Sequence, residues 1–258
     1  MAGKHERGRK GCANSHGRPP YFYRRSDPRP PQNAILAALP PDEYWRVRAC
    51  LEFIPLKSGA VLWEPNQPIT FVYFPNSGMV SLVAVMRDGA TVEVGMTGRE
   101  GFVGTPVIAG TRTAPVGAIV QIEGHGLRME SDLLRKILPQ TPQLEQMLHR
   151  YANAYAMQVA QAAACNRLHQ VPERLSRWLA MSRDRAGSNL LPLTQRFLAQ
   201  MLGCRRSSVT AAVSALQKAR VIRGRRGQLR ILNRKELQRR ACECYSVMRR
   251  LSGPFPQR

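Results

Sequence analysis

The stretch LTQRFLAQMLGCRRSSVTAAVSALQKARVI, residues 193–222, holds the side chains best suited to act on another molecule. Arg205 and Arg206 are followed at once by Ser207 and Ser208, with Thr210 close behind. Arginine presents a fork of donors that fits a phosphate or a guanine edge, and short hydroxyl side chains let a helix sit deep in a groove. Read as a helix, this run turns Val209, Ala212, Val213 and Leu216 inward at three-four spacing. Arg206, Ser207, Thr210, Ala211 and Ser214 then face outward. A helix meant only for water is more typically filled with Glu and Lys. Just upstream, Thr194 can cap a shorter helix whose Phe197, Leu198, Met201 and Leu202 face inward, and Gly203 suits a tight turn. Downstream, VIRGRRGQLRIL reads as two short strands around a basic turn.

Two helices and a basic hairpin make a winged helix-turn-helix, which lays its second helix in the DNA major groove and its wing along the backbone. Arg206, Ser207 and Thr210 are therefore base-reading candidates. Thr194, Arg205, Ser208, Arg223, Arg225 and Arg226 are candidates for phosphate contact. A three-helix module that binds protein is the competing reading, and it leaves Arg223, Arg225 and Arg226 without a purpose. RLHQVPERLSRWLAMSRDRAG supplies a further helix with Leu175, Trp178 and Leu179 inward, so the DNA-binding domain is expected over 167–258.

The charge distribution agrees. The chain has 39 basic and 17 acidic residues, but residues 32–193 carry 15 against 13 while residues 194–258 carry 16 against 2. Clustered Arg and Lys release counterions from phosphates, so double-stranded DNA is the expected partner. An anionic membrane would want an apolar face beside the charge. No run of eighteen apolar residues exists, and MAGKHERGRKG lacks the apolar segment of a secretory signal, so a cytoplasmic protein is expected.

Other chemistries find little footing. His125, His149 and His169 lie on separate segments, and no HExxH, nucleophile elbow, P-loop or dinucleotide fingerprint occurs. No catalytic residue, cofactor or metal site is expected. The six cysteines read as reduced, buried small hydrophobes, with Cys204 and Cys165 the weaker candidates for redox sensing. Cys242 and Cys244 form a CEC pair, and alternate positions on a helix do not face each other. A metal pinch there requires the helix to end first.

The elements that must position the basic module divide the chain. Residues 1–31, rich in Gly, Pro and Arg, read as a disordered basic tail. A helix is expected through LAALPPDEYWRVRACL, broken by its prolines. Between Ile54 and Met129, apolar runs such as FVYF, MVSLVAV, VEVGM and AIVQIE alternate with the turn signals PNSG, RDG and TGREG. That spacing implies an antiparallel sandwich or roll over 32–140 rather than βαβ units, and the fold class is α+β. In TVEVG, Val92 and Val94 face one way and Glu93 the other, as in a half-buried strand. Thr141-Pro142 then caps a long helix that joins the domains over 141–166. Leu144, Leu148, Tyr151, Tyr155, Val159 and Ala162 form one stripe, read as the seam of a two-fold homodimer, with packing on the chain's own sheet as the alternative.

Taken together, the chain resembles the Crp/Fnr family of bacterial transcription regulators. The resemblance rests on VYFPNSGMVSLV, TVEVGMTGREGFVG, ACNRLHQVPERLSRWL and LTQRFLAQMLGCRRSSVTAAVSALQKARVIRGRRGQLRIL, and runs from about Asn33 to Cys244. It implies a cyclic-nucleotide-binding-like β-roll, a dimerisation helix and a winged helix-turn-helix, with RNA polymerase as a further partner. The family commonly starts its recognition helix with arginine, which Arg206 matches. Ser207 replaces the glutamate that usually follows, and Ala211 replaces a further base-reading arginine. In cyclic-nucleotide-binding members a glutamate holds the ribose and an Arg-Ser pair holds the phosphate. Arg112-Thr113 echoes the pair, but Thr105 stands where the glutamate is expected. The resemblance therefore implies a sensor domain with Thr105, Arg112 and Thr113 as pocket candidates, its trigger being an unknown small-molecule effector or no small ligand at all. The oxygen-sensing branch needs a close N-terminal cysteine cluster, whereas here Cys12 stands alone with Cys50 far away. The alternative is a non-catalytic sensor or scaffold protein whose basic module binds protein or anionic membrane.

Overall fold

The computed structural model describes residues 32–225 and 227–252. The basic tail 1–31 and Arg226 lie outside the described residues. The broken N-terminal helix is two helices, α1 (Ala34–Ala37) and α2 (Pro41–Arg48). Asn33 caps α1 by accepting from the N–H groups of Ile35 and Leu36, while its amide donates to the carbonyls of Pro75 and Gly101 at 2.9 and 2.8 Å. That buried side chain fastens α1 to the sheet domain.

Seven strands follow: β1 (Glu52–Leu56), β2 (Val61–Trp63), β3 (Phe71–Pro75), β4 (Met79–Val85), β5 (Thr91–Thr97), β6 (Gly117–Ile122) and β7 (Gly124–Glu130), with the one-turn helix α3 (Thr105–Ile108) before β6. They form two antiparallel sheets, ordered β1-β7-β3 and β2-β6-β4-β5. Phe74 and Phe102 pack between them at 5.1 Å, with Val72, Val120 and Val107 buried around them. The expected antiparallel roll is present, and its interior is filled by side chains.

The chain then forms α4 (Ser131–Ile137), a single 3₁₀ turn over Leu138–Gln140, and α5 (Pro142–Leu168). Thr141 stands at the N-cap, but its hydroxyl donates backwards to the Ile137 carbonyl at 3.0 Å. The first N–H groups of α5 instead meet the buried carboxylate of Glu43, which accepts from Gln143 and Leu144 at 3.0 Å each. A negative charge at this end also complements the helix dipole.

The stripe on α5 requires a correction. Leu144, Leu148, Tyr151 and Tyr155 are buried within their own protomer, in one core with the roll and α1. Tyr151 and Tyr155 lie so close to Gly101 and Gly95 that an added Cβ would sit 2.3 Å from the Tyr151 ring and 2.0 Å from the Tyr155 hydroxyl. These glycines exist to admit the tyrosines. Val159 and Ala162 are half-buried at the margin. The four buried side chains are held by the chain's own sheet, so they do not form a seam between protomers.

The C-terminal part comprises α6 (Val171–Ala186), β8 (Leu190–Leu191), α7 (Gln195–Leu202), α8 (Arg206–Lys218), β9 (Ile222–Arg225), β10 (Gln228–Ile231), α9 (Arg234–Arg240) and α10 (Cys244–Leu251). A capping box between Gln170 and Glu173, followed by Pro172 in the first turn, starts α6, and Gly187 ends it in the left-handed region at φ 66°. The two-stranded wing gains β8 as a third strand, in the order β8-β10-β9. The core of this part extends into the roll, taking in Met79, Val83, Met96 and Ile122.

Candidate nucleic-acid interface

The helix-turn-helix is built from local signals. Thr194 caps α7 by accepting from the Phe197 N–H at 3.1 Å, and Gly203 closes the helix at φ 58°. Leu198, Met201 and Leu202 are buried, while Phe197 is half-buried with its ring edge-on to Trp178 at 6.2 Å. In α8, Val209, Ala212, Val213 and Leu216 are buried, and Arg206, Ser207, Thr210, Ala211 and Ser214 are all exposed. The outward face is therefore the short-chained polar one, with arginine at its N-terminal end. Thr210 has its hydroxyl within 2.8 Å of Gln195 Oε1 and 3.0 Å of the Arg206 carbonyl, so it is oriented by α7 and its own helix. Ser208 is half-buried beside Arg205, the N-cap residue of α8.

Arg205, Arg206, Arg223 and Arg225 are exposed, and among the described residues none of them pairs with a carboxylate. The arginines on the other side of the domain differ. Arg183 and Arg234 share Asp184 at 3.2 Å each, and Arg239 and Arg240 share Glu236 at 2.8 and 2.7 Å. These two arginines hold the Glu236 carboxyl down at about 2. Exposed arginines without a carboxylate partner thus line α8 and the wing, where a polyanion can take up their charge.

Behind this surface, α6 and α7 rest on the outer face of β4 and β5. Glu93, expected to face water from a half-buried strand, is covered instead by α6. It accepts from Trp178 Nε1 at 2.8 Å and from Ser81 Oγ at 2.5 Å. Burial pushes its carboxyl up to about 7, against the pull of those two hydrogen bonds and of Arg177 and Arg185. Arg185 donates to the Met96 carbonyl at 3.1 Å and to Gln158 at 2.9 Å, and pairs with Glu100 at 3.0 Å. One buried arginine thereby ties α6 to β5, to α5 and to the turn after β5. Gln121 reaches the Met201 sulfur at 3.6 Å, and Gln200 hydrogen-bonds Thr91. Sequence reasoning missed Glu93, Arg185 and Glu100 as interdomain residues. The only signal was a lone acidic residue in an otherwise apolar strand.

The effector candidates differ in exposure. Thr105 is half-buried at the start of α3, whereas Arg112 and Thr113 are exposed on the loop before β6. The Arg112 carbonyl accepts from the Ile69 N–H at 2.8 Å, which anchors that loop through its backbone. Cys204 is half-buried, and burial raises its thiol, which disfavours the reactive thiolate.

A β-roll, a connecting helix and a winged helix-turn-helix with a free basic face define a DNA-binding transcription regulator. Residues 173–240 match the family model of a Crp-like helix-turn-helix domain, and residues 53–141 match that of a cyclic nucleotide-binding domain. The chain belongs to the Crp/Fnr family. Among solved structures it is similar to FixK2 from Bradyrhizobium japonicum, at 16% identity over 74% of this chain and 98% of that one, with a TM-score of 0.63. It is also similar to CLP, described as a c-di-GMP-responsive global regulator from Xanthomonas campestris, at 17% identity over 74% and 98%, with a TM-score of 0.61. A protein described as a putative transcriptional regulator of the crp/fnr family from Eubacterium rectale matches at 16% identity over 78% and 95%, with a TM-score of 0.61. No curated protein matches the chain. Among the described residues, no helix is long and apolar enough to cross a membrane.

Proposed function

We propose that the protein acts in the cytoplasm as a homodimer that reads a two-part DNA site, presenting one α8 helix to each of two major-groove faces about 34 Å apart. Arg206, Ser207 and Thr210 read base edges. Thr194, Arg205, Ser208, Arg223, Arg225 and Arg226 hold phosphates and set the register. The observation that carries this reading is the coincidence, on one face, of unpaired arginines with the short hydroxyl side chains of α8. RNA polymerase is the further partner of a dimer so placed, and no step of catalysis is assigned.

The seam between protomers lies on the side of α5 turned away from the roll. Asn153, Ala156, Met157, Ala160, Ala163 and Ala164 are exposed there, with Val159 and Ala162 at the margin. Alanines allow close approach of a second helix, and Met157, 48% exposed, supplies apolar area. Within the roll, Thr105, Arg112 and Thr113 remain the pocket candidates for a small effector. Thr105 lacks the charge that a cyclic nucleotide's ribose is held by in this family, so cyclic AMP is not that effector.

Binding-site selection followed by salt-dependent titration tests the DNA reading, and sedimentation tests the dimer. Selection should return a two-part site, and sedimentation a dimer at micromolar concentration. Failure to prefer any duplex, together with tight binding to anionic vesicles, overturns the regulator. A monomer with and without DNA overturns the pairing. Micromolar cyclic AMP binding that is lost in Arg112→Ala overturns the effector reading.

A further inference from the structure

Three of the cysteines converge with a histidine where the two domains meet. Cys165 lies in the last turn of α5, and His169 follows four residues later at the C-cap, on the same face. Facing them is the break between α9, which ends at Arg240, and α10, which begins at Cys244. Ala241 is extended, so Cys242 and Cys244 are not on one continuous helix and both point at α5. The Cys165 and Cys242 sulfurs are 3.5 Å apart, and Cys244 Sγ is 3.7 Å from His169 Nδ1. The four ligand atoms all lie within 4.8 Å of one another.

We propose that Cys165, His169, Cys242 and Cys244 bind a single Zn²⁺ ion, which clamps the hinge end of α5 to the start of α10. Tetrahedral zinc with bonds of about 2.3 Å to sulfur and about 2.0 Å to nitrogen places its ligands roughly 3.5–3.8 Å apart. The Cys165–Cys242 and Cys244–His169 pairs already have that separation, and with every pair within 4.8 Å the others need shifts of about an ångström at most. An iron–sulfur cluster, with several metal atoms inside it, would hold its ligands further apart. All four coordination positions come from the protein, which is the pattern of a closed structural site.

The surroundings are those of a metal site as well. His169 turns Nδ1 toward Cys244 and its Nε2 toward Glu243, 3.1 Å away, so a carboxylate fixes the ring and its tautomer. Gln161 donates to Cys244 Sγ at 3.0 Å, a hydrogen bond that favours thiolate. Three thiolates around a divalent ion leave one negative charge on the site. Cys165, Cys242 and Cys244 are all buried, forming a small cluster of their own. Glu243 touches no ligand atom but the histidine's far nitrogen, so it is a positioning residue.

The test uses the full-length protein, expressed with zinc and purified reduced without chelator. Mass spectrometry of the metal should find about one zinc per protomer, and Cys242→Ser and Cys244→Ser should each lose it. Cobalt substituted for zinc should give the visible bands of a tetrahedral ion and the near-ultraviolet thiolate charge transfer of three sulfurs. Glu243 is exposed, so Glu243→Gln folds whether or not the cysteine variants do; competition with a chromophoric chelator should show its zinc affinity reduced roughly ten- to a hundredfold. A wild-type protein that holds no more zinc than Cys242→Ser, or binds it more weakly than micromolar, overturns the proposal. So does a Cys165–Cys242 disulfide whose reduction restores no metal binding. None of these readouts uses DNA, so the clamp stands or falls apart from the regulator reading.

Discussion

Arginine serves opposite ends on the two sides of the C-terminal domain. On the inner side, Arg174, Arg177 and Arg185 are buried, and each has a partner: the Leu202 carbonyl, the sulfurs of Met181 and Met248, and the Glu100–Met96–Gln158 group. On the outer side, Arg205, Arg206, Arg223 and Arg225 are exposed and lack a carboxylate among the described residues. Desolvation makes a buried guanidinium without a partner costly, and here Nε of Arg174 and of Arg177 stays unpaired while their terminal nitrogens are held. An exposed one remains available for a ligand. Arg185 therefore holds the domain against the roll, Arg174 and Arg177 tie α6 to α7 and α10, and the outer arginines are left for what the domain binds.

The largest break in this comparison comes from Arg185→Ala. It leaves the Glu100 carboxylate half-buried without its cation and cuts the tie between α6 and β5, so unfolding in urea should show a loss of about 3–5 kcal/mol. A loss below about 1 kcal/mol would mean that the inner contacts do not hold the domains together. Arg206→Ala should do the reverse, leaving the urea midpoint unchanged. It should weaken binding to the selected DNA site by about 1–3 kcal/mol and to random duplex much less. Equal losses on both duplexes would remove Arg206 from base reading. Arg225→Ala should weaken both duplexes alike and lower the slope of log K against log salt by about one unit.

The smallest effect at neutral pH concerns Glu93, which faces Ser81, Trp178, Arg177, Arg185 and Tyr155. Its carboxyl titrates near 7 in the folded protein against an ordinary 4.5, so between those values the folded state binds the extra proton. Its contribution is complete below about pH 4.5 and is lost as pH rises through about 7. Glu93→Gln keeps an acceptor for Trp178 Nε1, and Ser81 can turn its hydroxyl to accept from the new amide. Unfolding measured across that window should lose part of its pH slope in the variant. An unchanged slope would show that Glu93 titrates normally.

Local periodicity made much of the DNA-facing module legible. In α8 every position assigned inward is buried and every position assigned outward is exposed, because a short amphipathic helix has one face to hide. The same periodicity misled in α5. Leu144, Leu148, Tyr151 and Tyr155 make an apolar stripe, but a stripe states only that something covers it. The covering surface is the protomer's own roll, and the clue lay some fifty residues away in Gly95 and Gly101. Glu93 was misplaced for the same reason, since strand alternation separates two faces without saying that a second domain covers the outer one.

The sequence by itself determined the order of elements, the antiparallel roll, the capped and glycine-terminated turn of the helix-turn-helix, and the concentration of basic charge after residue 193. Those depend on neighbours in the chain: caps, spacing, turn residues and composition. Tertiary structure alone decided which arginines are spent on the fold, what α5 packs against, and that α9 stops before Cys242. Residues 165 and 169 meet 242 and 244 only because α10 folds back along α5. Convergence across more than seventy residues leaves no periodic trace in the sequence.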